Sequence, residues 1–424
     1  MAAIIVVQTR EDEGHLLRIK GERQRFSPCF WRFYAAAFFF DLGIGLFFFL
    51  FNLYLTDLHF DERAVGNITA SLTFGNVAGT VPAMLLARRH GLRPLLLFTV
   101  ICAPLICALR VLILWGPAQI GLSFATGVAL CCWPICFSPT VALLTEERNR
   151  TFGFSIMFAT GIGMGTFAGL LGGYIPELLY SGKMHISIVG GIRIVLFMAC
   201  GIILAGAWPL WRLRLQERLP GGQRSTRLLH PFLLRFLPPF VVWNVVTGSF
   251  PAFGAIYLQQ VLHIPLGRVG AVFSGSQLAQ FAAVLGAPIL FRRSGLIKGI
   301  VIAQVGTALF LVLIGKTAMV PAAITFYLAY NAMQFMSGPG IYNLLMNRIP
   351  EVERSTASAV QNLSGAICQA ATQALTGLCI VQFGYRPVLI GNAAFAILAA
   401  LLFLRVPEHA TSAEPMADKP MTIG

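Results

Sequence analysis

The sequence predicts an all-α membrane protein: twelve transmembrane helices in two pseudo-symmetric six-helix bundles, with both termini cytoplasmic. Three observations predict it. Apolar residues make up 57% of the 424 and charged residues only 11%, whereas soluble domains carry about a quarter charged residues. Apolar runs long enough to cross a bilayer recur twelve times. Finally, Arg88-Arg89-x-Gly91-Leu92 returns as Arg292-Arg293-x-Gly295-Leu296, 204 residues later and at the same place in the order of runs.

The elements follow in order. Residues 1–31 form a basic cytoplasmic segment; the opening MAAIIVVQTR has too short an apolar run to read as a cleaved signal. The first run, 33–57, spans a hydrocarbon core of about 30 Å at about 1.5 Å per helical residue. Further runs occupy 64–87, 92–115, 118–145, 153–179 and 188–210, which closes a first bundle over 32–211. A basic stretch with Pro220, Gly221 and Gly222 forms a central loop, 212–231. The second bundle, 232–405, holds runs at 236–262, 269–291, 296–314, 320–346, 357–383 and 387–404. A polar, small-residue tail, 406–424, is expected to be disordered.

Charge sets the orientation. Grouped by alternate loops, 24 of the 31 Lys and Arg residues fall on the side of both termini and 7 on the other. The positive-inside rule makes the first side cytoplasmic. The net charge of +14 is therefore a topology signal and no mark of nucleic-acid binding. Eight of nine cysteines lie in apolar runs, as buried free thiols do. Cys132 and Cys136 share a helical face, but no Met or His cluster joins them, so no metal site and no cofactor are expected.

The repeat extends beyond the pentapeptide. At the spacing of 204, Leu58-His59 matches Leu262-His263, Val65-Gly66 matches Val269-Gly270, Gly161 matches Gly365 and Gly173 matches Gly377. At 203, Gly45 matches Gly248, Tyr54-Leu55 matches Tyr257-Leu258, and Asp41 falls on Asn244.

Twelve spans in two parallel repeats, with a basic Gly-containing loop after the second and eighth, resemble the major facilitator superfamily (MFS) of secondary transporters. The family's loop signature is Gly-x-x-x-Asp-Arg-x-Gly-Arg-Arg/Lys. Arg89, Gly91 and Arg93 match it, while Met84, Arg88 and Leu92 replace its first Gly, its Asp and an Arg. Arg88, Arg89, Gly91, Arg292, Arg293 and Gly295 are thus expected to form cytoplasmic gate loops. Ala168-Gly169-Leu170-Leu171-Gly172-Gly173 resembles the glycine-rich fifth-span motif of the family's antiporters, without its proline. Gly165, Gly169 and Gly173 make one small-residue face whose plain reading is close helix packing.

The resemblance implies that spans one, four, seven and ten line a central cavity. Asp41 is the acid that lies deep in a span, about 12 Å from its near end. A carboxylate at that depth costs about 2.5–3.5 kcal/mol on translocon scales, so Asp41 is the candidate for proton coupling; structural pairing with a neighbouring helix is the alternative. Asn52, Asn244, Gln277, Asn331 and Gln334 are the substrate-cavity candidates, with bonding between helices as their alternative. A break at Gly338-Pro339-Gly340 is expected to give the tenth span a flexible point. Arg110 is expected to snorkel to the interface, and most of the phenylalanines of the first span to face lipid.

The expected function is secondary active transport of a small organic, apolar or amphiphilic, solute by alternating access, as proton-coupled export. Uniport or uptake of a neutral solute, or a receptor on the same fold, are the alternatives. No Gly-x-x-x-x-Gly-Lys-Ser/Thr loop is present, against ATP drive, and the histidines lie in loops and tails, against an enzyme. The expected partners are a small molecule, protons and the bilayer, around a monomer in a plasma or bacterial inner membrane.

Overall fold

A computed structural model describes residues 26–181, 186–213, 215, 231–349 and 354–406. Most of the segments 1–31, 212–231 and 406–424 lie outside the described residues, as does the side chain of Arg88. All regular structure among the described residues is helical.

Among the described residues, twelve helical units follow the twelve predicted runs. They are α1 (Pro28–Asp57), α2 (Glu62–His90), α3 (Leu92–Leu112), α4 (Gly116–Leu130 and Cys132–Leu144), α5 (Glu147–Ser181) and α6 (Ile188–Ala205 and Ala207–Trp211). The second six are α7 (Pro231–Ser249, then Gly254–Ile256 and a π-helical turn, Tyr257–Val261), α8 (Leu266–Ser294), α9 (Leu296–Lys316), α10 (Val320–Arg348), α11 (Arg354–Phe383) and α12 (Tyr385–Leu404). Eleven of them are long and apolar enough to cross a membrane. The exception is α10, where Asn331, Gln334, Ser337, Asn343 and Asn347 dilute the apolar content of a 29-residue helix.

The repeat seen in the sequence is a repeat of geometry. Gly91 and Gly295 follow α2 and α8 with φ of 85° and 84° and ψ of 175° and 162°, a region open essentially to glycine alone. The invariant spacing of the two basic loops thus rests on one backbone shape. His59 and His263 both take positive φ, at 66° and 53°. Tyr54 donates to the Val111 carbonyl at 3.2 Å and Tyr257 to the Ile314 carbonyl at 3.5 Å, the same bond in each half.

Three sequence expectations are corrected. First, α10 runs unbroken through Gly338-Pro339-Gly340; the break lies instead in α7 after Ser249. Pro251 has no N–H to donate there, and the broken turn's carbonyls are taken up elsewhere: Val246 O by Asn392 at 3.4 Å and Ala252 O by Asn52 at 3.1 Å. Second, the phenylalanines of α1 pack between helices: Phe40, Phe47, Phe49 and Phe51 are buried, with Phe40 stacked on Trp133 of α4 at 3.9 Å. Phe–Trp stacking adds to burial and holds α1 against α4. Third, Arg110 is only 2% exposed. Its guanidinium lies 4.2 Å from the Phe51 ring centroid and 5.8 Å from that of Phe47, so two aromatic faces hold the charge that was expected to reach the interface.

Candidate functional site

The two halves meet through α2 against α11 and α5 against α8, two pairings that the repeat exchanges. Both are glycine contacts. A Cβ on Gly66 would lie 3.2 Å from the Gly377 Cα, and one on Gly270 would lie 2.9 Å from the Gly173 Cα; these are the matched residues of the sequence repeat. No side chain fits between helices that close, so the backbones themselves form the seam. Gly169 and Gly173, predicted as packing glycines, therefore pack against Gly270 of the other half.

This seam lies at the end of the bundle away from the two termini. Polar links reinforce it there: Glu177 of α5 accepts from the backbone N–H of Gly267, in the first turn of α8, at 2.7 Å. Asp57 accepts from Gln259 at 3.4 Å, Glu62 from the Tyr385 hydroxyl at 3.4 Å, and Gln373 from Thr73 at 3.0 Å. Asn52, predicted for the cavity, belongs to this set, because its Nδ2 donates across the halves to Ala252.

Deeper along α1 and α7 sits a pair of polar residues related by the repeat. A Cβ on Gly161 would stand 3.4 Å from the Asp41 Oδ2, and one on Gly365 would stand 3.1 Å from the Asn244 Oδ1. Each half therefore lays one polar side chain over one glycine of a facing helix. The pairs then diverge. Asn244 Oδ1 accepts from Gln369 Nε2 at 3.1 Å, and Asn244 Nδ2 donates to the Phe240 carbonyl at 2.8 Å. The residue of the first half that corresponds to Gln369 is Gly165, 204 positions earlier, which has no side chain to donate to Asp41. Asp41 is half-buried and forms no hydrogen bond or ion pair with a described residue. The place beside Gly165 is taken by the second half: Gln277 Nε2 would be 2.9 Å from a Cβ there.

In the second half Asn331 of α10 is tied to α8, where Gln280 Nε2 donates to its Oδ1 at 3.2 Å. Gln334 is buried with its Oε1 unpartnered, and so are both polar atoms of Gln361. Of the predicted cavity residues, the structure thus sets Asn244 at the place that matches Asp41, Gln277 beside Gly165 and Asn331 against Gln280, assigns Asn52 to the seam and leaves Gln334 one turn further along α10. Gln369 and Gln373 escaped sequence reasoning, although their four-residue spacing within an apolar helix was a readable signal. Arg89, Arg292 and Arg293 are exposed at the terminal side, and a polar cavity of about 660 Å³ lies beside Arg89 and Gly91. Among the described residues, no cluster of His, Cys, Asp and Glu could hold a metal ion.

Comparison with known proteins agrees with this geometry. A family model described as Major Facilitator Superfamily matches residues 33–373 and again 240–422. No match was found among curated proteins. Solved structures match over most of their length. A nucleoside transporter, NupG in a D323A form, superposes with a TM-score of 0.72 at 11% identity, covering 89% of this chain and 99% of that one. A bacterial homologue of the human lysosomal transporter Spinster, inward-facing and unoccupied, gives 0.71 at 13% identity, covering 91% and 100%. A D-xylose–proton symporter gives 0.71 at 15% identity, covering 89% and 98%. At these identities the likeness is one of fold.

Proposed function

We propose that this chain, which belongs to the Major Facilitator Superfamily, moves a small organic solute across the bilayer by alternating access and couples that movement to protons through Asp41, as an exporter. One observation carries the reading. Asp41 is the ionisable member of a repeat-related pair, and the neighbour that ties up Asn244 is replaced on its side by a glycine. A carboxylate without a fixed partner is available to exchange a proton or to meet a positively charged group as the halves rock. Asn244 keeps fixed partners and serves as scaffold.

The two halves, 32–211 and 232–405, are the rocking bodies in this reading, with the central loop and both termini cytoplasmic and the protein a monomer in a plasma or bacterial inner membrane. The glycine seam then closes the outer end, which supports an inward-facing state. In this reading the solute is apolar or amphiphilic. Uptake or uniport of a neutral polar solute is the second reading. It is favoured by the carboxamides of the second half, Asn244, Gln277, Gln280, Asn331 and Gln369, and by the solutes named for the structural neighbours, a nucleoside and xylose.

The test is flux in proteoliposomes, with solutes first chosen by thermal shift. Asp41→Asn is expected to abolish accumulation driven by an imposed pH gradient while leaving counterflow of labelled solute. Unchanged gradient-driven accumulation in Asp41→Asn would exclude the coupling role.

A further inference from the structure

A second cavity, of about 450 Å³, lies between α7, α11 and α12. Its walls are apolar, and Leu375, Phe383 and Phe395 of the lining are among the exposed hydrophobic side chains. In a chain that spans a membrane such a wall faces lipid. One of the polar side chains inside has an atom without a partner. Asn392 is 4% exposed, its Nδ2 donates to the Val246 carbonyl of the broken α7 at 3.4 Å, and its Oδ1 has no partner. Because a carbonyl only accepts, the amide nitrogen must face Val246, which commits the oxygen to the other side. Ser249, Thr372 and Thr376 add hydroxyls to the same lining. Asn392 is the eighth residue of α12, about 10 Å along the helix from its far end. A donor that reaches this depth from the cavity mouth arrives with the lipid phase.

We infer that this groove binds a single-chain amphiphile carrying one hydroxyl, which lays its hydrocarbon along Leu375, Phe383 and Phe395 and donates its O–H to the Asn392 Oδ1. The occupant comes from the bilayer, and the site is separate from the polar layer around Asp41. It also touches the α7 break through Asn392 and Ser249, so occupancy bears on the segment that closes the seam at Ala252.

The experiment uses the full chain in nanodiscs with a diazirine-bearing long-chain alcohol, and reads crosslinked positions by mass spectrometry. Labelling is expected to concentrate on α11 around Leu375 and Cys379 and on α12 around Phe395. At equal bilayer mole fraction, dodecanol should compete about fivefold better than dodecane, the gain from one hydrogen bond of ordinary net strength. Gly391→Leu fills the groove without disturbing the helix, since a Cβ at Gly391 meets nothing within 4 Å, and should remove the label. Asn392→Leu should erase the preference for dodecanol over dodecane. Equal competition by the two in the unmodified protein, label spread evenly over all lipid-facing helices, or full labelling of Gly391→Leu would each overturn the proposal and leave only bulk lipid on this face.

Discussion

Replacing Gly377 by alanine should push the seam between the halves open. A Cβ at that position would stand 2.2 Å from the Glu62 carbonyl oxygen, 3.0 Å from its carbon and 3.2 Å from the Arg63 Cα. All three are backbone atoms, so no rotamer can relieve the contact. A carbon–oxygen separation of about 3.3 Å requires α2 and α11 to part by roughly an ångström. Overpacking of this kind costs about 1–3 kcal/mol. Because the cost falls only on the state in which the seam is closed, it shifts the equilibrium toward the opened state by about 5- to 150-fold. The exposed loop residues Trp115 and Met319 lie at the seam end, one in each half. Spin labels at Trp115→Cys and Met319→Cys, on a cysteine-depleted background, should report a longer distance in Gly377→Ala. Severity should follow the spacing: Gly66→Ala, with its Cβ 2.6 Å from the Gln373 carbonyl, and Gly173→Ala, at 2.9 Å from the Leu266 carbonyl, should shift the distribution less. An unchanged distribution in folded Gly377→Ala would refute the assignment of this seam as the moving contact.

Gly91→Ala and Gly295→Ala should each lower thermal stability, by about 1–3 kcal/mol for a non-glycine residue held at that φ and ψ, and to a similar degree, since the two loops share one shape; melting of the purified variants checks both. Gln369→Ala should destabilise by about 1–3 kcal/mol by stranding the Asn244 oxygen, whereas Asp41→Asn should leave the melting temperature close to that of the unmodified chain. Arg110→Met, which keeps bulk but removes a buried cation whose Nε and Nη1 lack acceptors, should be neutral or stabilising, while Arg110→Ala should lose stability through the space left against Phe47 and Phe51.

Much of the fold was legible because a bilayer imposes one-dimensional rules. Run length and charge by loop predicted twelve helices and their division, and Arg-Arg-x-Gly-Leu exposed the duplication because four scarce residues coincided. The matched glycines were visible too, yet their purpose was not: a glycine at a seam and one inside a bundle look alike until the facing helix is known. Proline misled in both directions. Pro339 is absorbed within α10, whereas Pro251 coincides with a break whose carbonyls Asn52 and Asn392 take up, and those partners are distant in sequence. Hydropathy also said little about Arg110, since the two rings that hold it lie some 60 residues earlier in the chain. The deep acid was legible from its cost alone; that Asn244 is fixed and Asp41 free depended on Gln369, which the sequence reading did not single out.

The replacement of Gln369 by Gly165 in the other copy has a bearing on how such a duplicated chain can change over time. Two identical copies would place the same constraint on both halves. Here one copy has closed its polar pair and given it to architecture, so substitutions at Asn244 and Gln369 are filtered by folding. The other copy has left its acid open, so under the coupling role proposed for Asp41 its substitutions are judged by transport and not by folding. Under that role, new specificities should arise first around Asp41, where a change leaves the bond between Asn244 and Gln369 in place.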